Sequence, residues 1–190
     1  MTMPSPFARL EGAVAEAKAL LLRSEAHTLL DHWADIARRG YPLRRQIDPL
    51  AIIPSLPYVW IRAFLPATRQ FQCQLAGDAV RQDYDFPLVG SYLEQVAAAD
   101  QLPQMQDAFE RCLFGRYILV ASGRLFRQLR RPGQGERLAL PLYNEDGAPA
   151  GLIGLAIRDS RIQHPSSEIG GTRKLVFIPL HAGDSESELH

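Results

Sequence analysis

Residues 44–64 read RRQIDPLAIIPSLPYVWIRAF, with three prolines beside an unbroken apolar run. Proline fixes φ, removes a backbone donor and breaks a helix interior. Neither a long helix nor a central strand passes through such a segment. The chain must end one kind of structure here and begin another. Asp48 followed by Pro49 reads as a cap and first residue of a short helix or turn, which Pro54 and Pro57 close. The residues after it, YVWIRAF, are aromatic and β-branched and predict a strand.

Upstream, the pattern is helical. Ser5 and Pro6 read as N-cap and first helical residue, and residues 7–23 have helix-forming composition, with Gly12 against it. Ser24 either caps a second helix or is passed through by one. Over residues 24–39, Leu29, Leu30, Trp33, Ile36 and Ala37 share one face, with Asp31, Asp35, Arg38 and Arg39 mostly opposite. Gly40 suits the position after a helix end, and Pro42 blocks continuation.

Downstream, FQCQLAG alternates, with Phe71, Cys73 and Leu75 on one side and Gln72 and Gln74 on the other. It pairs with YVWIRAF as a hairpin. Both sides of that first strand are largely apolar, which predicts a sheet covered on both faces. Residues 78–115 give short helical pieces, one of them capped by Asp78. Residues 116–131 return to strand. Residues 136–158 form two strands turned at 144–147, where Asp-Gly is a strong hairpin signal. KLVFIPL near the end predicts a strand or docked extended segment, before a disordered tail.

The expected class is therefore α+β. It has about five antiparallel strands, short helices on one face and an N-terminal helical extension. The divisions are 1–43 for the extension, 44–159 for the sheet domain and 160–190 for a C-terminal extension. The length of 190 residues suits one core. The formal net charge is zero, so no field draws the chain to nucleic acid or anionic lipid, and neither partner is expected. No apolar run nears the roughly 20 residues that span a bilayer. The first residues, MTMPSPFARLEG, have no basic segment followed by an apolar one, so no secretory signal is expected. Cys73 and Cys112 are too few for a disulfide framework and read as buried free thiols. A cytoplasmic protein, not attached to a membrane, is expected.

The residues from about Leu29 to Arg158 resemble the PAS_5 family of single-PAS bacterial proteins. The matching features are the His32–Trp33 pair, the RRQIDPL segment, FQCQLAG ending at Gly77, VGSYL around Gly90, and LPLYNEDG. The family usually has Asp, Arg and Arg where this chain has Gln46, Gln74 and Ser91. It often has Gly and Thr where Asp85 and Val89 stand. The Pro, Gly and apolar positions remain, so the resemblance implies fold more than function. It implies a sensory or interaction role with no settled ligand.

Candidate functional residues follow from the expected topology. A pocket between sheet and helices would be lined by Phe71, Cys73, Phe109, Cys112, Tyr117 and Leu140, with Arg62 or Tyr84 as a polar handle. Leu75, Phe114 and Leu142 are further lining candidates. A filled core explains the same apolar stripes and is the heavier alternative.

No cofactor is expected. Residues 78–115 hold no His to ligate haem, and ERCLFG around Cys112 is not a flavin-binding motif. No nucleotide, hydrolase or zinc-protease motif occurs. Asp78, Asp83 and Asp85 near the pocket mouth lack a base–orienter arrangement, so no catalytic residue or metal site is expected. The run Arg124, Arg127, Arg130 and Arg131 reads as a solvated strand edge. The apolar face of Leu29, Leu30, Trp33 and Ile36 is the candidate homodimer interface. Function is expected to be non-catalytic: a PAS-type sensory module binding a small apolar or amphipathic ligand, or a protein partner. The alternative is a purely structural adaptor with a filled pocket, and a small cone-shaped enzyme comes third.

Overall fold

The computed structural model describes residues 6–126, 133–159 and 174–182. In it, Asp48 caps the proline segment: its Oδ1 accepts the Leu50 N–H at 2.9 Å. A 3-10 helix runs over Pro49–Tyr58 with a kink at Ile52, and strand β1 (Val59–Leu65) follows at once. Before it stand α1 (Leu10–Leu20) and α2 (Ser24–Ala37). These are two helices and not one. The buried Glu136 carboxylate accepts the backbone N–H groups of Leu22 at 2.9 Å and Arg23 at 3.0 Å, where the chain is extended. The Glu136 carboxylate thus pins the extended link between the two helices to β4 with two charge-assisted hydrogen bonds. Ser5 lies outside the described residues, and α1 has no side-chain cap.

After β1 come β2 (Gln70–Ala76), α3 (Asp78–Arg81), α4 (Leu93–Val96) and α5 (Leu102–Phe114). Then follow β3 (Tyr117–Phe126), β4 (Gly133–Tyr143), β5 (Pro149–Asp159) and β6 (Lys174–Pro179). The fold is α+β. Its sheet is antiparallel, in the order β2-β1-β5-β4-β3-β6. It has six strands, not five, because KLVFIP pairs along β3, with Ile178 opposite Ile118. Gly77, not Asp78, stands at the cap position of α3, and Asp78 instead ion-pairs with Arg81 on the same short helix.

Helices cover both faces, as the apolar sides of the first strand predict. On the first face α1, α2 and the 3-10 helix pack on the sheet. Leu29, Leu30 and Trp33 have no exposed surface and Ile36 is buried. Trp33 Nε1 donates to the Pro141 carbonyl of β4 at 3.0 Å. The expectation that these four residues form a homodimer interface is thus corrected: the chain's own core holds them. Sequence periodicity reveals an apolar face but not what covers it. On the second face α4 and α5 cover Trp60, Phe64, Phe71 and Leu152. No helix among the described residues is long and apolar enough to cross a membrane. Arg127, Arg130 and Arg131, and the side chain of Arg124, lie outside the described residues.

Candidate ligand site

The expected pocket residues do not converge. Phe71 and Cys112 have no exposed surface, and Phe109 stacks on Trp60 with ring centres 5.4 Å apart. Cys112 Sγ donates to the Tyr117 carbonyl at 3.1 Å. The layer between α5 and the sheet is filled by these side chains. Leu140 lies on the opposite face, in the core with Trp33, so its placement as a pocket residue is corrected. The stretch LALPLY is apolar at every position, so alternation could not tell which face each residue takes. Tyr117 sits at the start of β3, and its ring and that of Phe177 both lie under the Arg111 guanidinium. Cys73 joins a separate small cluster with Val80 and Leu88, against which Tyr84 packs.

A cleft of about 570 Å³ lies instead on the first face, beyond the end of the helical cover. Its floor is Ile61, Ala63, Leu142, Ala150 and Gly151; its walls are residues 43–45 and the β4–β5 turn at 143–146. The floor drops because its central residues are small. At Gly151 only a glycine fits: a Cβ would lie 2.2 Å from the Arg62 carbonyl oxygen. The first wall is held by backbone, with Tyr143 N–H donating to the Pro42 carbonyl at 2.9 Å. The second wall turns at Gly147, whose φ of +80° few other residues adopt and whose missing Cβ makes room for the Tyr41 ring. Across the mouth, Arg45 Nη2 and Glu145 Oε1 are 2.6 Å apart. Both side chains are largely exposed, so this pair contributes at most about 1 kcal/mol and opens readily. The volume lies in the range of small-molecule sites, which is about 300–1,000 Å³. The apolar floor with charged groups at the rim suits an amphipathic ligand. The sequence held one signal for it: the small residues Ala63, Ala150 and Gly151 inside strands otherwise rich in Ile, Leu and Val.

Arg62, the expected polar handle, is among the residues that line this cleft, and its guanidinium turns away from it, toward β2. It is 7% exposed, and its Nη1 donates to the carbonyls of Phe71 at 3.4 Å and Ser91 at 3.5 Å. Burial pushes its pKa down; Cys73 and Tyr84 oppose this, and the Arg137 charge adds to it least. Asp83 and Arg158 form an ion pair at 2.6 Å nearby. Burial raises the Asp83 pKa above its ordinary value, against the pull of Arg158 and Arg137. Among the described residues no three His, Cys, Asp or Glu side chains gather as a metal site would need. Comparison with family models, curated proteins and solved structures found no match.

Proposed function

We propose that this chain is a non-catalytic sensory module of PAS type, taking a small amphipathic ligand in the cleft between residues 43–45 and the β4–β5 turn. The observation that carries the reading is the cleft itself, of about 570 Å³ with an apolar floor and charged rim. Two strands, short helices and a three-strand meander follow one another as a PAS fold requires, with β6 added at an edge. The two free, buried cysteines suit a cytoplasmic setting. Ligand binding joins the two walls and biases the position of the 42–46 segment, which connects directly to α2; that is the route for a population shift.

The test is native mass spectrometry of freshly purified protein, followed by a fragment screen read by thermal shift. Bound ligands are expected to stabilise the protein, and Ala63→Phe, which fills the floor, is expected to abolish that response while leaving the fold intact. Hits that stabilise Ala63→Phe as strongly as the parent protein, or no hits at all, refute the reading.

A second reading, an adaptor that docks a protein partner, draws on one observation. Leu50, Ile53 and Leu56, three apart along the 3-10 helix, are 77%, 57% and 37% exposed. Light scattering gives the mass. A dimer broken by Leu50→Asp with Ile53→Asp favours this reading, and a monomer unchanged by them removes the homodimer.

A further inference from the structure

The two walls of the cleft carry opposite charge. Arg44 and Arg45 stand on one, Glu145 and Asp146 on the other. The backbone brings them face to face. Leu43 and Tyr143 form an isolated parallel bridge at the base of the walls, so Arg45 and Glu145 each lie two residues beyond it in the same direction. The first wall is closed on itself, with Leu43 N–H donating to Gln46 Oε1 at 2.8 Å. The second is tied by Asn144 N–H to the Ala148 carbonyl, also at 2.8 Å. The walls are thus fixed at the base, and at the tips they meet through the Arg45–Glu145 pair. The floor beneath, Ile61, Ala63, Leu142, Ala150 and Gly151, holds no charge.

Charge balance narrows what this mouth accepts. A ligand whose apolar part lies on the floor has its head between the walls. An anionic head gains Arg45 but parts it from Glu145, which then faces a like charge. A cationic head gains Glu145 and strands Arg45. A head with both charges replaces the wall-to-wall pair by two pairs, and no group loses its partner. Asp146 is partly committed, since its Oδ1 accepts the Ala148 N–H at 3.0 Å, which leaves Glu145 the freer carboxylate.

We infer that the cleft binds an α-amino acid with an apolar side chain, its carboxylate on Arg45, its ammonium on Glu145 and its side chain along the floor. This rests on the cleft being a ligand site, as proposed above. An α-amino acid holds both charges on one carbon, which suits walls that already stand within ion-pair distance. The Arg45 guanidinium takes a carboxylate in a bidentate fork. The small Ala63, Ala150 and Gly151 leave the room that the side chain fills.

The experiment is thermal unfolding of the full chain with norleucine, hexanoate, hexylamine or glycine at matched ionic strength. The first three share one carbon chain length and differ in the head, whereas glycine has the head without the chain. Norleucine is expected to raise the melting temperature saturably in the millimolar range, with a half-saturating concentration about threefold or more below those of hexanoate and hexylamine. Glycine is expected to give no response. Arg45→Glu, which makes the mouth acidic, is expected to move the preference to hexylamine, and Glu145→Lys to move it to hexanoate. Exchanging the two, Arg45→Glu with Glu145→Arg, is expected to restore norleucine, because the same head binds turned around. Both side chains are largely exposed, so these variants are expected to fold. Hexanoate, hexylamine or glycine matching norleucine, or preferences unmoved by the charge reversals, overturn the inference; the cleft still stands where Ala63→Phe abolishes the responses. Responses that persist in Ala63→Phe overturn both. No response to any of the compounds overturns the inference, and the cleft reading with it only where the fragment screen is also empty.

Discussion

Trp33 and Pro141 are joined by a single hydrogen bond of 3.0 Å, from the indole Nε1 to a backbone carbonyl near the end of β4. It fixes the helical layer against the sheet at one point, inside a core where Phe7 and Tyr143 also meet. Trp33→Phe keeps most of the apolar contact but removes this hydrogen bond. It is expected to cost about 1–3 kcal/mol. Trp33→Ala adds a cavity and is expected to cost about 3–5 kcal/mol. Urea denaturation measures both. A Trp33→Phe loss as large as that of Trp33→Ala contradicts the assigned role of the bond.

Two glycines are expected to respond oppositely to alanine. At Gly151 the new Cβ meets the Arg62 carbonyl oxygen at 2.2 Å and forces β1 and β5 apart, a loss of about 1–3 kcal/mol. At Gly12, inside α1, a Cβ meets nothing within 4 Å, and alanine is expected to stabilise by about 0.5–1 kcal/mol. The same denaturation midpoints decide both.

Both thiols are expected to be inert in the folded chain. Burial pushes the Cys73 and Cys112 thiols up, away from the reactive thiolate. Iodoacetamide at mildly alkaline pH, followed by intact mass, is expected to find native protein unlabelled and urea-unfolded protein carrying two adducts. Labelling of native Cys112 at the rate of a free thiol counts against the described packing of α5.

Acid stability carries two opposed slopes. Burial raises the Asp83 pKa above its ordinary 3.8, so over that interval the folded chain holds more protons than the unfolded one. Its contribution is present at low pH and is lost as pH rises through the raised native value. Glu25 behaves the other way. The Arg23 guanidinium lowers it below its ordinary 4.5, so its contribution is present above that value and is lost as pH falls through the lowered one. Asp83→Asn is expected to remove the first slope and Glu25→Gln the second, read from unfolding free energies between pH 3 and 6. Unaltered slopes in either variant refute the corresponding placement.

What was legible in the sequence was backbone chemistry. Asp48 before Pro49 predicts a cap and makes one, and Asp146-Gly147 predicts the β4–β5 turn and supplies its positive φ. The alternation of FQCQLAG gives Phe71 and Cys73 their buried side. What was not legible was which surface meets which. The face holding Trp33 looks the same whether it meets a second chain or its own sheet. Leu140 sits in a strand apolar on both sides, so parity carries no information. The cleft is defined by side chains that are small, and a missing volume leaves little trace in a pattern of apolar and polar letters.

The sheet holds two locally connected blocks that meet between its second and third strands. β1 and β2 form a local hairpin, and β3, β4 and β5 form a local meander, but β1 joins β5 through Val59 opposite Leu155. Each block can form early, because its loops are short. The junction must wait for closure of a loop running through α3, α4 and α5, which costs chain entropy before any contact repays it. During synthesis the hairpin therefore emerges long before its partner strand exists. Hydrogen exchange on refolding should find the amides shared by β1 and β5 protected last, which makes that seam the youngest part of the fold.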